Sequence, residues 1–422
     1  MFRTKLLESI KGRELAAYIH IPFCTGTCWF CPYVRYVVSR SELDRVLSKY
    51  FRGLIKEVRM YGELLKDLNL RITDVHVGGG TPSLVPGKYW RELLEELRSN
   101  FNLSSGLAIE ANPEDLSDES LANDLVDSGV EEVSLGIQSL NPKVLKVLGR
   151  RHSVNDSLRA IDNLRRAGIK YLNIDLMYMT PGQSIEDWIK DLEEATGLDV
   201  DEITCYPTLV VEWSLGYRLM REGRIPQQPD MDTFKKMVYA CEDILPSKGY
   251  LGLEIYGYSR VKDWKYVTVN YEMEGPLVSF GVGSMGFTGS YEYQNTCSIN
   301  EYLSKLGRNE FPVLMARGVS IEERAIRYST CELFICRCLR RSRFKEVFRR
   351  DFDELVGKTG FRWFLKLLKV KGDVVDDGES IRLTRKGLFT AHKICWAFVL
   401  NVPCRMVEAC MGRLGSESVT IP

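Results

Sequence analysis

YIHIPFCTGTCWFCPY, residues 18–33, places three cysteines within eight positions directly behind a short apolar run. Cys24, Cys28 and Cys31 have the spacing C-x3-C-x2-C, and Gly26 and Thr27 let the chain fold back so that three thiols can converge. A structural zinc site wants four closed ligands, usually two C-x2-C pairs or one pair with later histidines. No second pair stands at that distance, and the chain has only four histidines. Three thiolates suit a [4Fe–4S] cluster with one iron left open, able to chelate a molecule with adjacent amino and carboxylate groups. The alternative is three buried, inert cysteines, for which a loop straight after a strand is a poor setting.

Outward from this loop, short apolar strands alternate with longer amphipathic segments. The strands are expected at 16–21, 73–77, 107–112, 131–139, 171–179 and 202–209, and helix-period stretches such as ELDRVLSKYFRGLIKEVRMYGELL and VNDSLRAIDNLRRAG lie between them. Strands some 30 residues apart with helices between describe repeated βα units and a parallel sheet. Six units before residue 215 predict an α/β fold built on a partial (β/α)6 TIM-like barrel. Cys24, Gly78, Glu110, Gln138 and Asp175 fall at or near the C-terminal ends of the strands, where parallel α/β folds place their chemistry. Beyond Asp230 come a helix, a Gly-rich stretch (SFGVGSMGFTGS), a further helical run over IEERAIRYSTCELFICRCLRRS, and two strands around Asp377-Gly378. The expected organisation is an N-terminal extension (1–15), the barrel (16–230), an extension of its core (231–315) and a C-terminal helical, winged-helix-like domain (316–422).

The 422 residues carry 57 Lys+Arg against 57 Asp+Glu. That balance argues against a nucleic-acid partner held mainly through phosphates, and the basic run RCLRRSRFKEVFRR reads as a solvated helical face. No stretch approaches the apolar length of a membrane span, and charges run through the N-terminal MFRTKLLESIKGRELA where a secretory signal would be apolar. The expectation is a cytoplasmic protein whose twelve cysteines are reduced. Cys331, Cys336 and Cys338 are expected in one helix, where residues two apart point to different sides, so they read as core rather than as ligands.

With these residues in view, the chain resembles the radical S-adenosylmethionine (SAM) enzymes, and YIHIPFC…CWFCPY resembles the HemN/HemW family within them. HVGGGTPS, IEANPEDL, GVEEVSLGIQSLNPKVLKVLGRRH, NIDLMYMTPGQS, CYPTLVVEWSLG, SFGVGSMG and IRLTRKGLF resemble family segments in the same order, over roughly residues 15–395. The resemblance implies a [4Fe–4S] cluster on Cys24, Cys28 and Cys31, whose open iron binds SAM through its amino and carboxyl groups. Electron transfer then cleaves the sulfonium to methionine and a 5′-deoxyadenosyl radical. It implies cofactor contacts from Phe30 (against adenine), Gly78, Gly79, Gly80 and Thr81 (the SAM amino group), Glu110 (the ribose), Gln138, Arg150 (facing a carboxylate) and Asp175. Tyr18, Gln138 and Glu212 are the catalytic residues implied; His152 reads as a packing or capping histidine.

Departures from the pattern shape the expected reaction. Tyr33 stands where the HemN oxidases carry a further cysteine. Val269 stands where the haem chaperones have a histidine, and Met273-Glu274 replace a Tyr-Trp pair. Met179-Thr180 replace the usual Gly-Leu beside Asp175. The leading expectation is therefore a HemN-like radical enzyme that moves a methyl or methylene carbon onto an sp2 carbon of an apolar or aromatic, unsaturated small molecule, using one or two molecules of SAM. The alternatives are a porphyrin- or haem-modifying enzyme of the coproporphyrinogen dehydrogenase or haem-opening kind, or a HemW-like haem chaperone. A reductant such as flavodoxin or ferredoxin is the expected partner, without nucleic acid.

Overall fold

The computed structural model describes residues 1–10, 12, 14–31, 33–210, 214–261 and 276–401, with side chains to Cys395. Six parallel strands form its centre: β1 (Glu14–Ile21), β2 (Arg71–Gly79), β3 (Leu107–Ala111), β4 (Val130–Gln138), β5 (Tyr171–Tyr178) and β6 (Glu202–Pro207). They pair in chain order, each parallel to the next. Every expected strand is present, with ends shifted by no more than two residues. Apolar side chains at successive positions suit strands covered on both faces.

Local chemistry fixes where the outer helices start and stop. Val154–Ala167 and Ile185–Ala195 both begin with capping boxes, Ser153 with Asp156 and Ser184 with Asp187, which satisfy first-turn N–H groups that have no helical partner. Gly168, at φ +85°, ends the first of them.

The sheet stays open rather than closing on itself. Past β1, Leu277–Phe280 continues it in parallel, and Met285–Phe287, Tyr291–Asn295 and Val313–Gly318 extend it antiparallel. Past β6, Gly257–Ser259 and Leu251–Gly252 add two antiparallel edges. The helix Leu43–Leu65 ties the β1 side together through a buried carboxylate. Glu57 accepts hydrogen bonds from the Tyr302 hydroxyl (2.6 Å), Gly281 N–H (2.8 Å) and Asn295 Nδ2 (2.7 Å). Burial pushes Glu57 up to about 7 despite these donors. Two turns earlier, the Tyr50 hydroxyl donates to His20 O (2.7 Å) and accepts from Val282 N–H (3.0 Å).

The C-terminal part has its own core, in which Tyr328, Phe344, Phe348 and Phe352 pack edge to face or stacked. Its strands Cys338–Arg340, Ser380–Leu383 and Val374–Asp376 form a small antiparallel sheet beside the helices Ile321–Phe334, Arg341–Phe348, Gly360–Val370 and Arg385–Asn401. This is the winged-helix-like arrangement expected, including the hairpin at Gly378 (φ +90°). The helix expected to run through Cys338 instead ends at Phe334. Arg337, in the left-handed region at φ +66°, turns the chain so that its guanidinium reaches Glu242 (2.9 Å) and Glu254 O (2.6 Å) in the barrel half. Cys336 and Cys338 thus lie outside that helix, Cys338 on a strand. Among the described residues nine cysteines are free thiols. Among the described residues no helix is long and apolar enough to cross a membrane.

Candidate active site

Beyond β1 the chain turns at Pro22 into a two-residue strand, Phe23–Cys24, which pairs in parallel with Tyr36–Val37 and closes the cysteine loop at its base. The pin of this loop is Arg35, 1% exposed. Its guanidinium donates to Cys31 O (2.6 Å) and Cys28 O (3.1 Å). Burial pushes the Cys24 thiol up to about 11; the Thr81 hydroxyl and the Arg35 charge oppose this, and the neighbouring Cys31 and Cys28 thiols add to it. Burial raises Cys31 too, again with Cys28 adding to the effect. The three thiols therefore lie close enough to feel one another's charge. Among the described residues no three His, Cys, Asp or Glu could hold a single metal ion; a cluster takes one thiolate per iron and needs its ligands spread wider.

Two outside donors reach the sulfurs. Thr81 Oγ1 donates to Cys24 Sγ (3.5 Å), and Arg150 Nη1 donates to Cys28 Sγ (3.3 Å). Asn112 links them, donating to Thr81 Oγ1 (3.3 Å) and accepting from Arg150 Nη2 (2.8 Å). Arg150, expected at a ligand carboxylate, here braces the loop, because Gly149 at φ +70° ends the helix Pro142–Leu148 and turns the next residues inward. Its Nε is buried without a partner. Arg151 donates to Thr25 Oγ1 (2.7 Å) and Glu114 Oε1 (3.2 Å). His152 is buried, with Nε2 3.0 Å from Ile137 O and Nδ1 3.4 Å from Glu114 Oε2. Against the cost of burial, His152 and Arg150 hold Glu114 down at about 2.

Of the three glycines at the C-terminal end of β2, Gly80 lies against the start of the cysteine loop. A Cβ on Gly80 would stand 2.5 Å from Phe23 O, Gly79 has φ +117°, and a Cβ on Gly78 would stand 2.9 Å from Glu110 Oε1. Gly80 N–H and Thr81 N–H donate to Ile21 O (2.7 Å) and Phe23 O (2.8 Å), and Gly79 N–H donates to Glu110 Oε2 (3.2 Å). These N–H groups are committed within the chain, so a ligand ammonium, which is a donor, would have to meet carbonyl oxygens here.

Several of the alternate positions inside the barrel are polar. Tyr18 pairs in register with His76, Glu110 with Ser134, and Ser134 with Asn173. The Tyr18 hydroxyl lies 2.9 Å from His20 Nδ1, and His20 Nε2 lies 2.9 Å from Val34 O. A carbonyl only accepts, so Nε2 carries the proton and Tyr18 donates to Nδ1. The His76 ring stacks on Tyr18 at 5.8 Å, with Nε2 3.6 Å from Glu110 Oε1. Asp175 accepts from Ser134 (3.1 Å) and Asn173 (3.0 Å); burial and then the Glu110 charge push it up to about 7. Gln138 takes the left-handed region at φ +66° and accepts from the Tyr206 hydroxyl (2.9 Å).

Phe30 packs edge to face on Trp29 (5.7 Å, 87°), in an apolar cluster with Met177, Val144, Leu148 and Tyr206 at the barrel mouth. Tyr33 is 53% exposed. Met179 adopts φ +59°, a conformation glycine takes without strain. Glu212, Val269, Met273 and Glu274 lie outside the described residues. Hydrogen bonds thus join Cys24 to Thr81, Cys28 to Arg150 and Gly79 to Glu110. The structure adds Arg35, His76, Asn112, Glu114, Ser134, Asn173 and Tyr206. Their one signal in sequence is a polar residue at the inward position of an otherwise apolar strand, and that applies to the strand residues alone.

The chain resembles known proteins. Residues 18–195 match the family model described as the Radical SAM superfamily. The chain is 26% identical to the heme chaperone HemW of Bacillus subtilis over 91% of its own length and 99% of that protein. It is 30% identical to the HemW of Buchnera aphidicola, covering 64% of this chain and 70% of that one. It is 24% identical to the oxygen-independent coproporphyrinogen III oxidase of Bradyrhizobium diazoefficiens, covering 93% and 88%. Among solved structures, the coproporphyrinogen III oxidase HemN of Escherichia coli shares the fold, with a TM-score of 0.78, 20% identity and 93% of each chain covered.

Proposed function

Because the chain belongs to the radical SAM superfamily, in the branch that holds HemW and the oxygen-independent coproporphyrinogen III oxidases, we propose that it is a SAM-cleaving enzyme acting on a porphyrin- or haem-type macrocycle. The observation that carries the first half is the cysteine loop, in which three neighbouring thiols are served by donors from Thr81 and Arg150. The second half rests on relatives that match nearly the whole chain.

The residues present fit a [4Fe–4S] cluster. Three thiols converge, donors that favour thiolate already point at two sulfurs, and the buried Arg35 adds positive charge beside them. When bound, cluster and SAM supply a radical that abstracts a hydrogen atom from the substrate. The rest of the chemistry falls to the protein. Glu110, facing the opening and held by Gly79 N–H, suits the ribose hydroxyls. Asp175, bonded by Ser134, and Gln138, bonded by Tyr206, offer further polar groups on the neighbouring strands. Tyr18, fixed by His20, keeps its hydroxyl oriented away from solvent. Phe30 packs in the apolar cluster around Trp29, and apolar lining of this kind would exclude water and competing hydrogen donors.

Methyl or methylene transfer, the leading expectation from sequence, has no support among these relatives, and the alternative kept beside it fits them better. Within that alternative, Tyr33 in place of a cysteine tells against the oxidase reaction itself. A haem carrier is the second reading, favoured by the 99% coverage of the Bacillus subtilis HemW. A cytoplasmic setting and a flavodoxin- or ferredoxin-like reductant belong to the same proposal.

The test is anaerobic reconstitution with iron and sulfide, followed by SAM and dithionite. 5′-Deoxyadenosine should form in the wild type and be absent in Cys28→Ala. An intact cluster that cleaves no SAM would remove the enzymatic reading. Stoichiometric haem binding without turnover would establish the carrier. Turnover that requires neither porphyrin nor haem would remove the substrate class.

A further inference from the structure

We propose that the helix Gly360–Val370 lays its outer face on an anionic lipid surface. The inner face is ordinary: Phe361 and Leu368 are buried in the C-terminal core, with Phe364 and Leu365 beside them. The outer face is not. Trp363 is 68% exposed, Leu367 56% and Val370 86%, and helical geometry places the three within an arc of about 60°. Arg362, Lys366 and Lys369, all exposed or nearly so, fill the adjacent arc of about 60°. The helix contains no acidic residue to balance them.

The nearby acids are already engaged. Asp376, which also feels the Lys369 charge, pairs with Arg341 (2.8 Å), Asp377 with Arg382 (2.9 Å), and Asp373 with Lys371 (3.3 Å). Lys366 lies 4.4 Å from the centre of the Trp363 ring, so its stem lies along the apolar stripe while its charge stays at the rim. In a chain with zero net charge, this is a local basic edge beside an exposed apolar ridge. Tryptophan and aliphatic residues flanked by lysines are the composition of helices that lie in the lipid headgroup region.

Charge decides between occupants. A second copy seated symmetrically would bring Arg362, Lys366 and Lys369 against themselves. The segment 402–422 of this chain carries Arg405 and Arg413 against Glu408 and Glu417, and so has no surplus of negative charge to offer. Nucleic acid would meet the lysines but leave Trp363, Leu367 and Val370 in water. An anionic bilayer satisfies both arcs, since headgroups meet the basic residues and acyl chains the apolar ones.

The experiment uses the full-length chain and flotation with vesicles of phosphatidylcholine, with or without one-third phosphatidylglycerol. Binding should appear on the anionic vesicles only and fall as salt is raised. Lys366→Gln together with Lys369→Gln should weaken it about 25-fold, at about fivefold per charge. Trp363→Ser with Leu367→Ser should weaken it at least as much; both pairs are solvent-exposed, so circular dichroism should be unchanged. Failure to float with anionic vesicles at low salt, or equal flotation by wild type and both variants, would overturn the proposal. So would a solution dimer that Trp363→Ser dissolves, which would assign the face to a second copy. Vesicle binding that appears only after removal of 402–422 would assign it to that segment.

Discussion

Glu57→Gln offers a quantitative test of how the wall behind the cysteine loop is held. Glu57 is protonated far more readily in the folded chain, at about 7, than at the ordinary glutamate value of 4.5. The folded state therefore binds more protons than the unfolded one between these values, and its stability falls as pH rises through that window. The whole effect is about 3.4 kcal/mol, of which about 2.5 kcal/mol falls between pH 5 and 8. The glutamine of the variant cannot titrate. The constant cost of rearranging its three hydrogen bonds cancels when the variant is compared with itself at two pH values. The other raised carboxylates, Asp175, Asp191 and Glu254, are common to both proteins and cancel as well. Urea unfolding of the cluster-free protein should thus show the wild type losing about 2.5 kcal/mol more than Glu57→Gln from pH 5 to pH 8. Tyr302→Phe provides a second reading. It removes a donor that favours the charged form, so the stability loss should extend to higher pH. Parallel pH profiles for wild type and Glu57→Gln would refute the assignment.

Further outcomes follow from the site. Arg35→Met leaves Cys28 O and Cys31 O without their donor; with water reaching the loop, the cost should sit near ~2 kcal/mol, read as roughly thirtyfold faster loss of iron to a chelator, with Arg35→Lys intermediate. Unchanged chelation kinetics would show that Arg35 does not pin the loop. Met179→Gly relieves a left-handed residue by about 1 kcal/mol but deletes a buried side chain worth about 2–5 kcal/mol, so the variant should be less stable by about 2 kcal/mol in urea; a gain in stability would mean that strain dominates there. Asp175, at about 7, is mostly neutral at pH 6 and mostly charged at pH 8. SAM affinity should change over that range in the wild type and stay flat in Asp175→Asn, and equal profiles would remove Asp175 from the binding site.

Much of this was readable in the sequence, for physical reasons that also mark where reading stops. The six strands announce themselves because buried parallel strands are short apolar runs at βα spacing. The cysteine loop is legible because cluster ligation fixes residue type and spacing locally. Asn112 and Glu57 act through tertiary partners, as far as 245 residues away for Glu57, and no local pattern encodes such pairs. The helix end at Phe334 and the positive φ values of Gln138, Met179 and Arg337 escape notice for a related reason. Each non-glycine there is held by tertiary contacts that override its own preference.

The supports of the cysteine loop also set an order of events during synthesis. All three thiols have been made by residue 31, yet the arginine that caps Cys28 is residue 150 and the helix start that meets Tyr36 lies near residue 299. At ribosomal speeds the first gap lasts roughly ten seconds. Throughout it the nascent chain carries three closely spaced thiols on an unfinished sheet. Cluster delivery before residue 150 would meet a loop without its brace, whereas oxidants would meet it without its shield. The fold therefore favours assembly of the cofactor on a released, folded chain, and places the hazard to this protein in the interval before its fourth strand and the turn after it have emerged.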